Sequence, residues 1–263
     1  MDLGLAHKIA LVTASSKGLG RASAMALAQE GARVAICARN EQQLQATAAD
    51  IRATTGAEVL AMPADVSQAA DIDRLVTETV AHFGGLHILV TNAGGPPAGY
   101  FQEFDDAHWQ NAFNLTLMSA VRLIRAAIPP MRQQRWGRII NITSLSVKEP
   151  LDALLLSNSV RPAIHGLAKT LANQLGQDGI TVNNVMPGTI HTDRIDQLAQ
   201  HAANQSGQSV ADALADMGKV VPLGRIGRPE ELGALVAFLA SEKASYINGA
   251  SIPVDGGRLK GTF

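Results

Sequence analysis

The chain has 263 residues, 46% hydrophobic and 17% charged, with 22 basic against 23 acidic side chains. At about 150 residues per domain this length fits one large α/β domain or two small ones, and the near-neutral balance excludes the basic field that nucleic acid or an acidic membrane surface requires. The single cysteine, Cys37, excludes internal disulfides and cysteine metal clusters, which fits a reducing, cytoplasmic compartment. The opening MDLGLAHK lacks the basic-then-apolar order of a secretory signal, and no apolar run reaches the 18 or so residues of a membrane span.

In chain order, short apolar, β-branched runs alternate with stretches of helical periodicity. KIALVT (8–13) precedes a predicted helix over 19–30, RVAICA (33–38) one over 41–54, and EVLAM (58–62) one over 69–83. HILVT (87–91) precedes 106–131, RIINIT (138–143) precedes 157–176, and TVNNVM (181–186) leads through a polar gap to 229–240 and SIPV (251–254). Strands separated by single helices return parallel through right-handed crossovers. Strands covered on both faces read as continuous apolar runs. The alternation never breaks, so the prediction is a single-domain, doubly wound parallel α/β sheet of about seven strands, Rossmann-type, over 1–263. The gap at 189–220 is polar and rich in Ala, Gln and Asp; after a strand's carboxyl end it reads as a substrate loop or lid.

The first strand runs into Thr13-Ala14-Ser15-Ser16-Lys17-Gly18-Leu19-Gly20, after which a helix begins. Gly18 and Gly20 let the backbone approach a pyrophosphate at a helix N-terminus. About 20 positions on, where a carboxylate would bond the ribose 2′-hydroxyl of NAD, the sequence reads Cys37-Ala38-Arg39-Asn40. Arg39, joined by Lys17 from the turn, suits the 2′-phosphate of NADP. Each feature alone has a plainer reading, a tight turn and a solvated charge. Together they favour NADP(H).

In these features the sequence resembles the classical short-chain dehydrogenase/reductases over nearly its whole length. The turn from Thr13 through Ser15, Ser16, Lys17, Gly18 and Leu19 to Gly20 resembles the family's Thr-Gly-x-x-x-Gly-x-Gly, with Ala14 in place of the first glycine. Asp65-Val66 is similar to the pair that holds the adenine ring, and Asn92-Ala93-Gly94 to the segment beneath the cofactor. Pro187-Gly188-Thr189-Ile190-His191-Thr192 is similar to the segment whose Ile and Thr reach the nicotinamide amide. The tail, PLGRIGRPEE at 222–231 and VDGG at 254–257, resembles that of 3-oxoacyl-[acyl-carrier-protein] reductases. The resemblance implies an NADP(H)-dependent oxidoreductase interconverting a small-molecule carbonyl and alcohol. It also implies a homotetramer built on the fourth and fifth helices and the last strand.

The family's chemistry uses Asn, Ser, Tyr and Lys. Asn114 matches the asparagine that retains a water, and Ser144 the serine that donates to the carbonyl, with Ser146 a close competitor. The Tyr-x-x-x-Lys pair is missing. Alignment through AIHGL (163–167) puts Ser157 at the tyrosine and Arg161 at the lysine, and the Ser144-to-Ser157 interval is the family's own. A serine hydroxyl does not ionise near neutrality and an arginine stays protonated. Loss of a positioned acid typically removes about 10²–10⁴ in rate. Arg161 is still expected to hold a charge over the nicotinamide ribose. A water between Ser144 and Ser157 is the favoured replacement acid, ahead of Lys148 if buried, Tyr100 and His191; Tyr246 is expected to be packed. Two functions fit: a reductase with a changed acid, or a catalytically silent NADP(H)-binding sensor or partner subunit.

Overall fold

Seven strands, Ile9–Val12 (β1), Arg33–Ala38 (β2), Val59–Pro63 (β3), Ile88–Thr91 (β4), Gly137–Ile142 (β5), Ile180–Pro187 (β6) and Ser251–Val254 (β7), form one parallel sheet. Their order is β3-β2-β1-β4-β5-β6-β7 in the computed structural model, which describes residues 2–261. The chain winds outward from β1 to β3, then returns to the other side of β1 as β4. The loops after β1 and β4 therefore diverge, opening a crevice at the carboxyl ends of the strands.

The helices are Gly18–Gln29 (α1), Glu41–Thr55 (α2), Ala69–Phe83 (α3), Asp106–Ala112 (α4), Ser119–Gln134 (α5), Leu155–Val160 (α6), Pro162–Leu175 (α7), Asp193–Ser206 (α8), Val210–Lys219 (α9) and Pro229–Ala240 (α10). α1, α2 and α10 cover one face of the sheet and α3, α5 and α7 the other. Successive residues of one strand serve both faces: Ala10 and Val12 join the first core, Ile9 and Leu11 the second. This two-sided burial is why β1, β2 and β4 are continuous, mostly apolar runs. No helix among the described residues is long and apolar enough to cross a membrane.

Three stretches depart from the predicted pattern. The helix expected over 106–131 changes to a π-helical turn at Phe113–Met118, where the Ser119 N–H donates to the Asn114 carbonyl five residues back. The helix expected over 157–176 begins earlier and breaks after Arg161, because Pro162 has no N–H to continue the ladder. The supposed loop at 189–220 is mostly helical, as α8 and α9. Their seam is Ala199, Ala203 and Ala213; alanine favours helix strongly but adds little to an apolar signal. Tyr246, expected to be packed, is fully exposed, while Ala244 beside it is buried.

A chain of polar side chains crosses the sheet from β4 to β7. Thr91 Oγ1 donates to Asn141 Oδ1 (2.7 Å), Asn141 Nδ2 to Asn184 Oδ1 (3.0 Å), and Asn184 Nδ2 to Ser251 Oγ (3.0 Å). Ser251 Oγ lies 2.9 Å from His165 Nδ1, and His165 Nε2 lies 3.0 Å from Thr143 Oγ1, which itself donates to the Val185 carbonyl. Because Ser251 and Thr143 already accept and donate elsewhere in this order, His165 accepts at Nδ1 and donates at Nε2. It is neutral. Burial first, then the Lys148 charge, lowers its pKa to about 4. His87, whose Nδ1 accepts the Ile9 N–H, is likewise lowered to about 4 by burial and by Lys8 and Arg33.

Both values lie below the ordinary histidine value of 6.5, so on acidification the unfolded chain takes up protons that the folded chain refuses. Stability is full above about pH 6.5 and falls as the pH drops towards 4. Urea denaturation across this window is expected to record that loss, with a shallower slope in His87→Asn and His165→Gln. An unchanged slope in both variants would assign the acid sensitivity to other groups.

Candidate active site

The crevice at the carboxyl ends of the strands is a single cleft of about 1170 Å³. Its floor at the β1 end is the turn 13–20, and the side chains there divide into two sets. Ser16, Lys17, Gly18 and Leu19 line the cleft. Thr13, Ser15 and Gly20, also expected to bind cofactor, lie behind it and brace the turn. Thr13 Oγ1 donates to the Asn92 carbonyl (2.7 Å) and accepts the Asn92 N–H (2.8 Å). Ser15 Oγ donates to the Val12 carbonyl and accepts the Cys37 N–H. A Cβ on Gly20 would stand 2.4 Å from the Ala14 carbonyl oxygen, so only glycine fits this approach. Ala14 itself is left-handed, with φ 47°, a conformation that costs an L-residue about 1–2 kcal/mol.

Arg39, exposed at the end of β2, lines the same cleft with Asp65 and Val66 after β3 and Asn92, Ala93 and Gly94 after β4. Pro187, Gly188, Ile190 and Thr192 line it after β6. Gly188 runs against Asp255, where a Cβ would meet the Asp255 Cα at 2.7 Å. Lys17 does not stand free beside Arg39 as anticipated: its ammonium pairs with Asp193, the first residue of α8. Arg39 has no ion-pair partner among the described residues.

Across the cleft, Ser144 lies two residues past the end of β5, a half-buried residue whose Oγ accepts the Ser146 N–H (3.1 Å) and keeps its own proton to donate. Ser146, the competitor, is buried and off the cleft lining. Ser157 and Arg161 lie one turn apart on and just after α6. Arg161 Nε donates to Ser157 Oγ and Arg161 Nη1 to the Thr143 carbonyl, each at 3.0 Å. Both residues line the cleft although Arg161 is only 8% exposed. Burial, then the neighbouring Arg194 charge, lowers the Arg161 pKa to about 10, which leaves it a cation at neutral pH.

The other catalytic expectations fare differently. Asn114 lies half-buried in the π-helical turn and is not on the cleft lining, which takes Leu115 instead. Tyr100 and Lys148 are exposed and off the cleft, and His191 is held by Asp196 at 2.9 Å. None of the three meets Ser144. Arg194 and Arg258 line the cleft unanticipated; Arg194 Nη2 donates to the Pro96 carbonyl (3.3 Å) and Arg258 Nη1 to Thr189 Oγ1. One signal for the buried network was available: two asparagines inside the apolar run TVNNVM must find partners.

Strand order, glycine turn and the side chains after β5 define a doubly wound α/β fold of the Rossmann type with a serine–arginine site at its crevice. The family described as enoyl-(acyl carrier protein) reductase matches residues 13–258, and the chain belongs to the short-chain dehydrogenase/reductases. It is 35% identical to the 3-oxoacyl-[acyl-carrier-protein] reductase FabG of Staphylococcus aureus over 253 residues, 95% of this chain and 97% of the other. Among solved structures it is similar to L-sorbose reductase from Gluconobacter frateurii complexed with NADPH and L-sorbose, with a TM-score of 0.95, 35% identity, and 99% and 100% of the two chains covered. YwfH, an NADPH-dependent reductase involved in bacilysin biosynthesis, is similar with a TM-score of 0.92 and 30% identity over 97% of this chain and 99% of the other.

The turn makes two opposite predictions. Gly20→Ala drives a methyl into the Ala14 carbonyl and is expected to cost about 1–3 kcal/mol. Ala14→Gly relieves the left-handed alanine against a larger unfolded-state entropy, for a net gain of roughly 0.5–1 kcal/mol. Thermal unfolding checks both, since 1 kcal/mol moves the midpoint by about 2–4 °C in chains of this size.

Proposed function

We propose that the chain is an NADP(H)-dependent oxidoreductase interconverting a small-molecule carbonyl and alcohol, with Ser144, Ser157 and Arg161 acting where relatives of the resembled pattern use a tyrosine and lysine. The observation that carries this reading is the meeting, in one cleft, of the glycine turn and Arg39 at one end with these three residues at the other. The relatives support it: L-sorbose reductase is complexed with NADPH, and YwfH is an NADPH-dependent reductase.

The residues fit the cofactor. The Gly18 turn and the α1 N-terminus suit its pyrophosphate, Arg39 its 2′-phosphate, Asp65 and Val66 its adenine, and Ile190 and Thr192 its nicotinamide amide. When bound, NADPH supplies the hydride. The protein's part is charge stabilisation. Ser144 donates its free hydroxyl proton to the substrate oxygen. Ser157 accepts from Arg161 Nε and lies 3.5 Å from Ser146 Oγ; its proton turns from that long contact to the substrate oxygen, polarised by the cation behind it. Arg161 stabilises the negative charge that develops there. None of these groups gives up a proton near neutrality, so the alkoxide takes its proton from water. α8 and α9 serve as the lid, presenting Leu198, Ala202 and Met217 to the cleft.

The test is NADPH oxidation with a panel of ketones and oxo acids. Ser144→Ala is expected to lower turnover about 10²–10³-fold, the usual cost of removing one such donor. NADPH binding without turnover on any carbonyl would move the chain to the silent-binder class. Arg39→Ser is expected to weaken NADPH about 10–100-fold, the worth of a charged hydrogen bond, and to leave NADH binding unchanged; equal effects on both would remove Arg39 from the 2′-phosphate.

A further inference from the structure

We propose that the substrate is an oxo acid whose carboxylate is received by Arg194 in the cleft it shares with Arg161. This rests on the reductase reading and names its substrate class.

The cleft concentrates charge that the whole chain does not have. The net charge of the chain is −1, yet Lys17, Arg39, Arg161, Arg194 and Arg258 line this one cleft against two carboxylates, Asp65 and Asp193. Asp193 is taken by Lys17, and Asp65 accepts the Ser67 N–H after β3. The three arginines on the substrate side have no carboxylate partner among the described residues. Lys17 belongs to the glycine turn and Arg39 follows β2, where the cofactor phosphates sit in the proposed reading; Arg161, Arg194 and Arg258 come from segments after β5.

Arg161 is the most telling of them. It is more than nine-tenths buried, and its two hydrogen bonds use neutral acceptors, Ser157 Oγ and the Thr143 carbonyl. Its Nη2 has no acceptor among the described residues. A buried guanidinium is ordinarily paired, and here the neighbouring charge is another cation: Arg194 adds to the burial that lowers the Arg161 pKa. Arg194 is half-buried and spends one nitrogen, Nη2, on the Pro96 carbonyl. Two desolvated forks of like sign, facing a cleft, are relieved by a planar anion that accepts from both.

The neighbouring surface sets the rest of the molecule. Leu151, Leu154, Ile195, Leu198 and Met217 line the cleft around these arginines, which suits an apolar body. Ser144, Ser157, Arg161 and Arg194 line this one cleft, so a carbonyl against the serines and a carboxylate on the arginine forks belong to a single molecule.

The probes are 4-phenyl-2-oxobutanoate and its uncharged methyl ester, titrated calorimetrically against the protein with and without NADPH, and compared in turnover. NADPH affinity is measured separately by fluorescence. The acid is expected to bind about 10–100-fold more tightly than the ester, and Arg194→Gln to bring that ratio close to one. Arg194→Lys, which keeps the charge and loses the fork, is expected to fall between. Equal binding of acid and ester to the wild type overturns the proposal, and with NADPH still bound it leaves the reductase reading intact. An unchanged acid-to-ester ratio in Arg194→Gln with weakened NADPH also overturns it, by assigning the guanidinium to the cofactor pyrophosphate. If NADPH fails to bind, the reductase reading falls, and the acid-to-ester ratio without cofactor still decides the anion site.

Discussion

A guanidinium buried without a counter-ion among the described residues organises the serine–arginine end of the cleft. Arg161 reaches back to the Thr143 carbonyl at the end of β5 and sideways to Ser157 Oγ, so one cation fixes the spacing between strand end and helix start. Such a group is tolerable only where its surroundings are rigid, because the carbonyl and hydroxyl that solvate it must replace water without loosening. The polar chain from Thr91 to Thr143 supplies that rigidity. It ties β4, β5, β6 and β7 together beneath the site and ends on the residue whose carbonyl Arg161 holds. A parallel sheet of aliphatic side chains alone would pack as well but would not fix this one registration so tightly.

The cofactor end is organised by a different constraint, the closeness of backbone to backbone. The Ala14 carbonyl passes over Gly20 and accepts from Asn92 Nδ2 (3.2 Å). The turn after β1 and the strand end after β4 are thus joined across the switch point. Thr13 and Ser15 complete the brace from below. What lines the cleft is consequently main chain and small side chains, a surface suited to a pyrophosphate. The two ends differ in kind: one is shaped by sterics, the other by charge.

The fold was largely legible in the sequence because its strands are buried on both faces. Two-sided burial makes the central strands largely apolar runs, and all seven runs became strands of one sheet. The breaks were less legible. Pro162 marks the division between α6 and α7 by simple sterics, yet the register through 163–167 drew attention past it. The π turn at Phe113–Met118 has no proline or glycine to announce it. α8 and α9 are held together by alanines, whose burial depends on partners that only the folded chain supplies. At the cleft, the glycine turn was legible in the residues themselves, and Ser144, Ser157 and Arg161, singled out through the family resemblance, are on its lining. Arg194 and Arg258 were not, because a charged residue in a polar stretch reads as solvated until the lid places it.

The exchange of tyrosine for serine and of lysine for arginine makes physical sense as a single change. A lysine ammonium is tunable: buried beside a phenol, it can share or surrender charge, and its value lies in lowering the pKa of that phenol. Once the phenol is gone there is nothing to tune. A buried lysine with no carboxylate would then relieve itself by losing its proton, leaving a neutral amine. An arginine cannot take that route in the physiological range. Even with its pKa lowered to about 10, Arg161 remains charged, and it meets its neighbours through a planar fork instead of a single point. Serine at 157 complements this, being small enough to leave the space a ring would occupy and still able to accept from Nε. The pair thus exchanges a proton donor for a permanent field. In the proposed reading that exchange favours a substrate whose own charge makes use of the field, and it shifts the work of the site from acid donation towards binding the transition state's negative oxygen.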